Sequence, residues 1–285
     1  MTKPDQLSVA RLTGKVALIT GSGRGMGRQH ALELASCGAS IIVNYASSSS
    51  PAEKVVQEVK TLGRDGIAIK ADVSKPAEIE ILFEKGVSHF GKIDIVMSDS
   101  GLEQFGAIED VISDDFDRIF AVNTKGQFFV AQQAYKYWLR EDAWSWLPRS
   151  LRRLKVLQTM LYIAAVKAPW NHSFAVLHRG IITSFAFHDS IWWPTNLDFG
   201  PKKINVNAIA PGGVKTDLYL EAAKKYIPGT EHWSAEQVDK ASSTSAPLQR
   251  MAYPEDIAKV VAFLASENGG RINGKTEERR LQVQN

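Results

Sequence analysis

Val16–Ile19 is an unbroken apolar run, the pattern of a strand buried on both faces. A glycine-rich turn follows, and then Ala31, Leu32, Leu34 and Ala35 recur at helical spacing within Arg28–Cys37. A second apolar run, Ser40–Val43, leads through the polar stretch Ala46–Ser50 into Pro51–Leu62, where Val55, Val56 and Val59 share one helical face. Gly66–Lys70 reads as a third strand, closed by Ala71-Asp72-Val73. Ser74 is expected to cap a helix with Pro76 in its first turn, running to Phe90. Ile93–Met97 is a fourth strand, ending at Ser98-Asp99-Ser100-Gly101. Ser113 is expected to cap one helix through Phe129 and beyond, carrying Phe116, Ile119, Phe120 and Val122. Ile204–Ile209 reads as a later strand, and Pro254–Ala265 as a late helix with Ile257, Val260, Val261 and Leu264 inward. Strands alternating with helices in this way predict an α/β fold, a doubly wound parallel sheet with helices on both faces.

The pattern is not uniform. Residues 1–13 read as a flexible arm and 14–274 as a single domain. The block 138–200 departs from strand–helix alternation, and six of the seven tryptophans fall within Trp138–Trp193. Near the carboxyl end an apolar last strand is expected after Ile272-Asn273-Gly274-Lys275. The chain instead gives Thr276-Glu277-Glu278-Arg279-Arg280-Leu281, which reads as a polar tail over 275–285 with the last strand missing.

Composition narrows the partners. A length of 285 residues with 44% hydrophobic content suits one large α/β domain with a sizeable core. A net charge of only +3 gives no pull toward nucleic acid or an acidic membrane surface. The lone Cys37 cannot form an internal disulfide and is expected to be a small core residue of the first helix, which fits a reducing, cytoplasmic setting. Met1–Lys15 lacks an apolar signal core, and no apolar run approaches a membrane span. No His/Cys cluster has metal-ligand spacing.

The candidate chemistry sits at strand ends. Strand, glycine turn and helix, here Thr20-Gly21-Ser22-Gly23-Arg24-Gly25-Met26-Gly27, is the arrangement that binds a dinucleotide pyrophosphate. Glycines permit the tight turn, and free N–H groups at the helix start face the anion. A carboxylate closing the second strand would bond a ribose 2′-hydroxyl, and would repel a 2′-phosphate. Asn44 stands there instead, followed by Tyr45 and Ser47, and no Asp or Glu appears before Glu53. Arg24, within the turn, offers a planar fork to that phosphate. These residues predict NADPH rather than NADH.

The same residues carry a family resemblance. The turn at Gly21, Gly25 and Gly27, the pair Asp72-Val73, Asn123, and Pro211-Gly212 with Thr216 resemble the motifs of the short-chain dehydrogenase/reductase family. Val43-Asn44-Tyr45, the run from Asn123 to Ala131, the run from Ala210 to Asp217, and the lid segment Leu218–Pro228 with Tyr219 and Tyr226 are similar to the fungal polyketide reductases. These are the polyhydroxynaphthalene reductases and the versicolorin-type anthraquinone reductases. The resemblance implies a Rossmann-type domain, a homotetramer, and NADPH-dependent reduction of a small aromatic polyketide ketone in secondary metabolism. It also implies cofactor contacts at Gly21, Arg24, Gly25, Met26, Gly27, Asn44, Tyr45, Ser47, Asp72, Val73, Asp99, Gly101, Lys125, Pro211, Gly212, Val214 and Thr216. Asp99 stands where these reductases often carry asparagine.

The family mechanism uses a tyrosine as proton donor, a lysine four residues later, an upstream serine and an asparagine. Asn123 matches the asparagine. The serine position falls near Tyr162, the tyrosine position on Ala175 and the lysine position on Arg179, so none of these three is matched. Tyr162 with Lys167, or His172 and His178, are the substitute donors at hand, and none shows the family's spacing. Three readings stay open: a reductase whose 138–200 block is divergent or a misread piece of the gene, an NADPH-binding relic or regulatory protein without turnover, and a protein–protein module that uses the tryptophan-rich stretch as an exposed patch.

Overall fold

The computed structural model describes residues 10–103, 105–106, 110–139, 154–159, 165–166, 199, 204–211, 213–217, 219–220, 224, 229–230, 232–244, 248–273 and 276–278. In chain order these include strands β1 (Val16–Ile19), β2 (Ser40–Tyr45), β3 (Gly66–Lys70), β4 (Ile95–Ser98), β5 (Phe105–Gly106), β6 (Leu154–Thr159), β7 (Ala165–Val166), β8 (Ile204–Ala210) and β9 (Thr276–Glu278). The helices are α1 (Gly25–Ser36), α2 (Ser49–Thr61), α3 (Pro76–Phe90), α4 (Ser113–Phe120), α5 (Gln127–Leu139), α6 (Ala235–Thr244) and α7 (Pro254–Ala265). A π-helical segment, Ala121–Gly126, joins α4 to α5.

Seven strands form one sheet in the order β3-β2-β1-β4-β6-β8-β9, and every neighbouring pair is parallel. The strand alternation divides the core into two layers. Ala17 and Ile19 of β1, Ile41 and Val43 of β2, and Ile95 and Met97 of β4 face one side, against Ala31, Leu34, Val55, Val59, Ile257 and Val261 from α1, α2 and α7. Val16, Leu18, Ile42 and Val96 face the other side, against Ile79, Leu82, Phe83, Val130, Ala134 and Tyr137 from α3 and α5. A strand covered on both faces has no polar side to show, which is why β1 reads as a continuous apolar run. The strand order turns back between β1 and β4. In open parallel sheets the crevice outside the strand carboxyl ends at that point receives the ligand.

Several expectations need correction. The arm does not extend to residue 13: Ala10 and Leu12 are buried in the core, and Leu12 N–H donates to the Cys37 carbonyl at 2.8 Å. Cys37 itself is the half-buried residue that ends α1. Ser74 does not cap α3. Its hydroxyl and N–H donate to Asp72 Oδ1 at 2.8 and 3.0 Å, so the cap position passes to Lys75. Ser113 is the first helical residue of α4, not its cap, and the first turn meets the helix dipole with Asp114 and Asp115. The long helix from Ser113 is three pieces, because the π-helical segment offsets α5 from α4.

The last strand is present. Thr276, Glu277 and Glu278 pair with Ala208, Ile209 and Ala210, because an edge strand needs its backbone ladder and not an apolar sequence. The atypical block also contains a central strand. β6 lies between β4 and β8 and pairs with both. The rest of 140–198 lies outside the described residues apart from β6 and β7.

Candidate functional site

The glycine turn is tied from beneath at each end. Thr20, fully buried at the end of β1, accepts hydrogen bonds at Oγ1 from the N–H groups of Asp99 and Ser100 at 2.9 and 3.0 Å. The ends of β1 and β4 are thereby held together at the switch point. Ser22 Oγ donates to the Ile19 carbonyl at 2.7 Å, and Ser22 N–H to the Asn44 carbonyl at 3.1 Å. Gly21 N–H donates to Asn44 Oδ1 at 3.2 Å.

The start of α1 is left open. Arg24 occupies its cap position, its side chain makes no capping bond, and the first turn holds no acidic residue. The N–H groups there are the free, positively polarised end of a helix dipole, the feature that receives a phosphate. Arg24 is exposed beside them. Gly27 explains the last glycine of the motif. A Cβ built on it would lie 2.8 Å from the Gly21 carbonyl oxygen and 2.9 Å from both Asp99 Oδ2 and Ser22 Cα. Gly25 sits near the far wall: a Cβ there would be 3.6 Å from Asp217 Oδ1. Met26 is half-buried in the first turn of α1.

Asn44 has a different part from the one expected. Its side chain is buried, and besides accepting from Gly21 it donates through Nδ2 to the carbonyls of Ala71 at 2.9 Å and Ile69 at 3.3 Å. It braces the turn against β3 and the segment that follows it. Tyr45 is half-buried, and Ser47 is exposed just beyond β2. Asp72 is committed as well, to the hydroxyl and N–H of Ser74, with Lys75 Nζ at 3.6 Å from its second oxygen. Burial alone would raise the Asp72 carboxyl, but the Ser74 bonds and Lys75 hold it below the usual carboxylate range. Val73 is buried, and its carbonyl packs on Gly126, where a Cβ would come within 2.7 Å.

Beyond β4, Asn123 is tied to the backbone of Leu102. Its Oδ1 accepts from Leu102 N–H and its Nδ2 donates to the Leu102 carbonyl, both at 2.9 Å. The π-helical segment that presents Asn123 is thus pinned to the strand that leads into Gly101 and Leu102. Gln127 adds a bond from Nε2 to the Ser100 carbonyl at 2.6 Å. Lys125 points to solvent. On the opposite wall Pro211 is buried at the end of β8. Val214 and Ala252 form a parallel bridge, and Lys215 N–H donates to the Ala252 carbonyl at 2.8 Å. The Lys215 ammonium pairs with Asp239 and lies 5.5 Å from the Tyr253 ring centroid. Thr216 N–H donates to the Val214 carbonyl at 2.9 Å and Tyr219 N–H to Thr216 at 3.1 Å. Burial pushes the Tyr219 phenol up. This loop is held on α6 and on the segment before α7, facing the glycine turn.

The glycine turn therefore lies against the end of β4, through Gly21 beside Ser100 and Gly27 beside Asp99, and against the loop after β8, through Gly25 near Asp217. Gly212, Tyr162, Ala175, Arg179, Lys167, His172, His178 and Tyr226 lie outside the described residues. The sequence motifs passed over Thr20 and Gln127 as site builders, and His30 altogether. Thr20 was visible inside the turn motif; a glutamine in a helix and a histidine on an apolar helix face carry no such mark. Among the described residues no group of three or more His, Cys, Asp or Glu side chains is placed to hold a metal ion. Among them also no helix is long and apolar enough to cross a membrane.

Comparison with known proteins places the chain. Residues 15–144 match the short chain dehydrogenase family model, and residues 195–277 match the model for enoyl-(acyl carrier protein) reductase. A versicolorin reductase from Emericella nidulans is 44% identical over 265 residues, which cover 93% of this chain and 94% of that protein. A trihydroxynaphthalene reductase from Colletotrichum orbiculare is 42% identical over 276 residues, 95% of this chain and 90% of that one. Among solved structures, a short chain dehydrogenase from Burkholderia cenocepacia in complex with NADP is 26% identical, with a TM-score of 0.70 over 94% of this chain and 96% of that one. Identity of this order along almost the full length of both chains, with the parallel sheet and its glycine turn in place, shows that the protein belongs to the short-chain dehydrogenase/reductase family of oxidoreductases.

Proposed function

We propose that this chain is an NADPH-dependent reductase of an aromatic polyketide ketone or polyphenol, of the naphthol or anthraquinone type. Its kinship to named versicolorin and trihydroxynaphthalene reductases supports the substrate class. The cofactor choice rests on one observation in this chain. The end of β2 carries no carboxylate, its Asn44 is turned inward, and the exposed guanidinium of Arg24 stands beside the uncapped start of α1. A 2′-phosphate there meets a cation and no competing anion. The residues of this chain that fit the nucleotide are the N–H groups at the start of α1 for the pyrophosphate, Arg24 and Ser47 for the 2′-phosphate, Val73 beside the adenine, and the 211–217 loop beside the nicotinamide. Bound there, NADPH supplies a hydride to a carbonyl carbon.

The asparagine of the family's proton relay is Asn123. Because its side chain is spent on the Leu102 backbone, it acts by fixing the helix geometry and not by touching substrate. The remaining donor chemistry belongs to the 140–198 block, where Ala175 and Arg179 stand in place of tyrosine and lysine. That substitution favours one second reading, a protein that binds NADPH without turnover.

Two measurements test this. Calorimetric titration is expected to show at least tenfold tighter binding of NADPH than NADH; equal affinities would remove the cofactor assignment. Oxidation of NADPH in the presence of a polyhydroxynaphthalene separates the readings. A positioned acid contributes about 10²–10⁴-fold, so turnover that falls short of Ala175→Tyr/Arg179→Lys by less than about 10²-fold supports a working substitute donor. Turnover only in that double variant supports the relic.

A further inference from the structure

α6 stands apart from the two core layers. It has 10 residues and buries one side chain, Val238, which belongs to neither layer. Its ends close on themselves. Ser234 Oγ accepts from Gln237 N–H at 3.3 Å and Gln237 Oε1 accepts from Ser234 N–H at 2.9 Å, while Thr244 Oγ1 donates to the Lys240 carbonyl at 2.8 Å. A helix this short is marginal on its own in water, so its tertiary contacts decide how often it opens.

One of those contacts is charged, and it runs to the loop after β8. The half-buried Lys215 ammonium pairs with Asp239, in the middle of α6, and lies 5.5 Å from the Tyr253 ring centroid. The Asp239 bond holds that ammonium above its ordinary value. The loop end of the link is rigid. Lys215 N–H donates to the Ala252 carbonyl at 2.8 Å, Ala252 N–H donates to the Gly213 carbonyl at 3.3 Å, and Met251 Cε fills the place that a side chain on Gly213 would take. Lys215 is flanked by Val214 and Thr216, within the stretch proposed to lie beside the nicotinamide. A nucleotide that immobilises those neighbours lowers the entropy cost of holding the lysine in one rotamer, and that cost opposes the ion pair.

We propose that Asp239 is a positioning residue for α6: through Lys215 it couples nucleotide occupancy of the loop after β8 to the closure of this helix. The inference rests on the NADPH reading and deepens it, because it gives that site an outlying element that responds to it. Asp239 itself does not touch the nucleotide.

Hydrogen exchange of the α6 amides, followed in the full chain with and without saturating NADPH, tests it. These amides are expected to exchange at least about fivefold more slowly with NADPH bound, the low end of a coupling between two sites. In Asp239→Asn the slowing is expected to fall below about twofold, and NADPH affinity by calorimetry is expected to drop by no more than about fivefold, because coupling is reciprocal. Asp239→Glu keeps the charge and is expected to recover most of the slowing, whereas a role in packing alone would favour the isosteric asparagine. Lys215→Met removes the pair from the loop side and is expected to lose the slowing as well. α6 exchange that NADPH leaves unmoved in the unaltered chain overturns the inference. So does slowing retained in Asp239→Asn or Lys215→Met, or absent in Asp239→Glu. In each of these cases calorimetry with the unaltered chain still upholds the NADPH reading. An unaltered chain that binds no NADPH ends that reading and the inference with it.

Discussion

Burial pushes His30 down to about 3 from an ordinary value of 6.5, so the folded chain holds it neutral through the whole interval in which the unfolded chain protonates. The sign follows from the protons bound. Below pH 6.5 the unfolded state takes up a proton that the folded state refuses, so stability is complete above 6.5 and declines as pH falls toward 3. The slope approaches about 1.4 kcal/mol per pH unit. His30→Met is expected to flatten this decline in urea unfolding measured across that interval; an unaltered slope would show that other groups set it. Asp72 acts in a lower window. Its carboxyl is held below 3.8, so its contribution is present above 3.8 and disappears as pH falls below that value. Asp72→Asn is expected to remove that last step and leave the upper one. Gly27→Ala tests the turn itself. Its methyl group has no room against the Gly21 carbonyl and Ser22, and overpacking of this kind costs about 1–3 kcal/mol, together with loss of NADPH binding. Gly27 was legible in the sequence because motif spacing reports backbone geometry. The burial of Asn44 was not, since an amide at a strand end reads alike whether it faces a ligand or the core, and only the positions of Ala71 and Ile69 decide it.

At the level of elements, periodicity worked where one face is buried and failed where a bond decides a boundary. The strand Gly66–Lys70 and the helix Pro254–Ala265 lie where the apolar pattern put them. The junction from α4 to α5 did not announce itself, because Phe116, Ile119 and Phe120, with Val122 three residues after Ile119, fit a continuous α-helical spacing. What breaks it is tertiary. Asn123 bonds the Leu102 backbone at both ends of its amide, and Gly126 lets Val73 approach too closely for any side chain. Asn123→Ala leaves the Leu102 N–H and carbonyl without those partners, at an expected cost of about 1–3 kcal/mol in urea unfolding. Asn123→Asp keeps the acceptor for Leu102 N–H and sets a carboxylate against its carbonyl, so it is expected to be no better than alanine. A variant Asn123→Ala as stable as the unaltered chain would show that the π-helical segment is held by other contacts. β6 was hidden for another reason. A central strand is recognised by its pairing with β4 and β8, whereas the sequence around it is dominated by tryptophan and arginine.

At the scale of the molecule, the described residues include an aromatic face that the core leaves uncovered. Ile112 is 60% exposed and Phe116 52%, with Phe120 and Phe128 close behind, and the rings of Phe116 and Phe120 stack at 4.1 Å between centroids. Of α4, only Ile119 is buried. A chain with this much aromatic surface on one helix gains by covering it, and we propose that the same surface on a second copy covers it. Such an assembly is the homotetramer that the family resemblance implies. The face lies on α4 and the start of α5, whereas the residues proposed to hold the nucleotide lie mainly on α1 and the loops after β2 and β8, so the two are separable by mutation. Phe116→Glu/Phe120→Glu places carboxylates where two copies would meet, beside Asp114, Asp115 and Asp117. Sedimentation velocity is expected to show the unaltered chain as an oligomer and the double variant as a monomer of 31.4 kDa. NADPH affinity is expected to stay within about twofold in the variant, because distant sites without shared partners act independently. An unaltered chain that sediments as a monomer would mean that the aromatic face serves some purpose other than self-association.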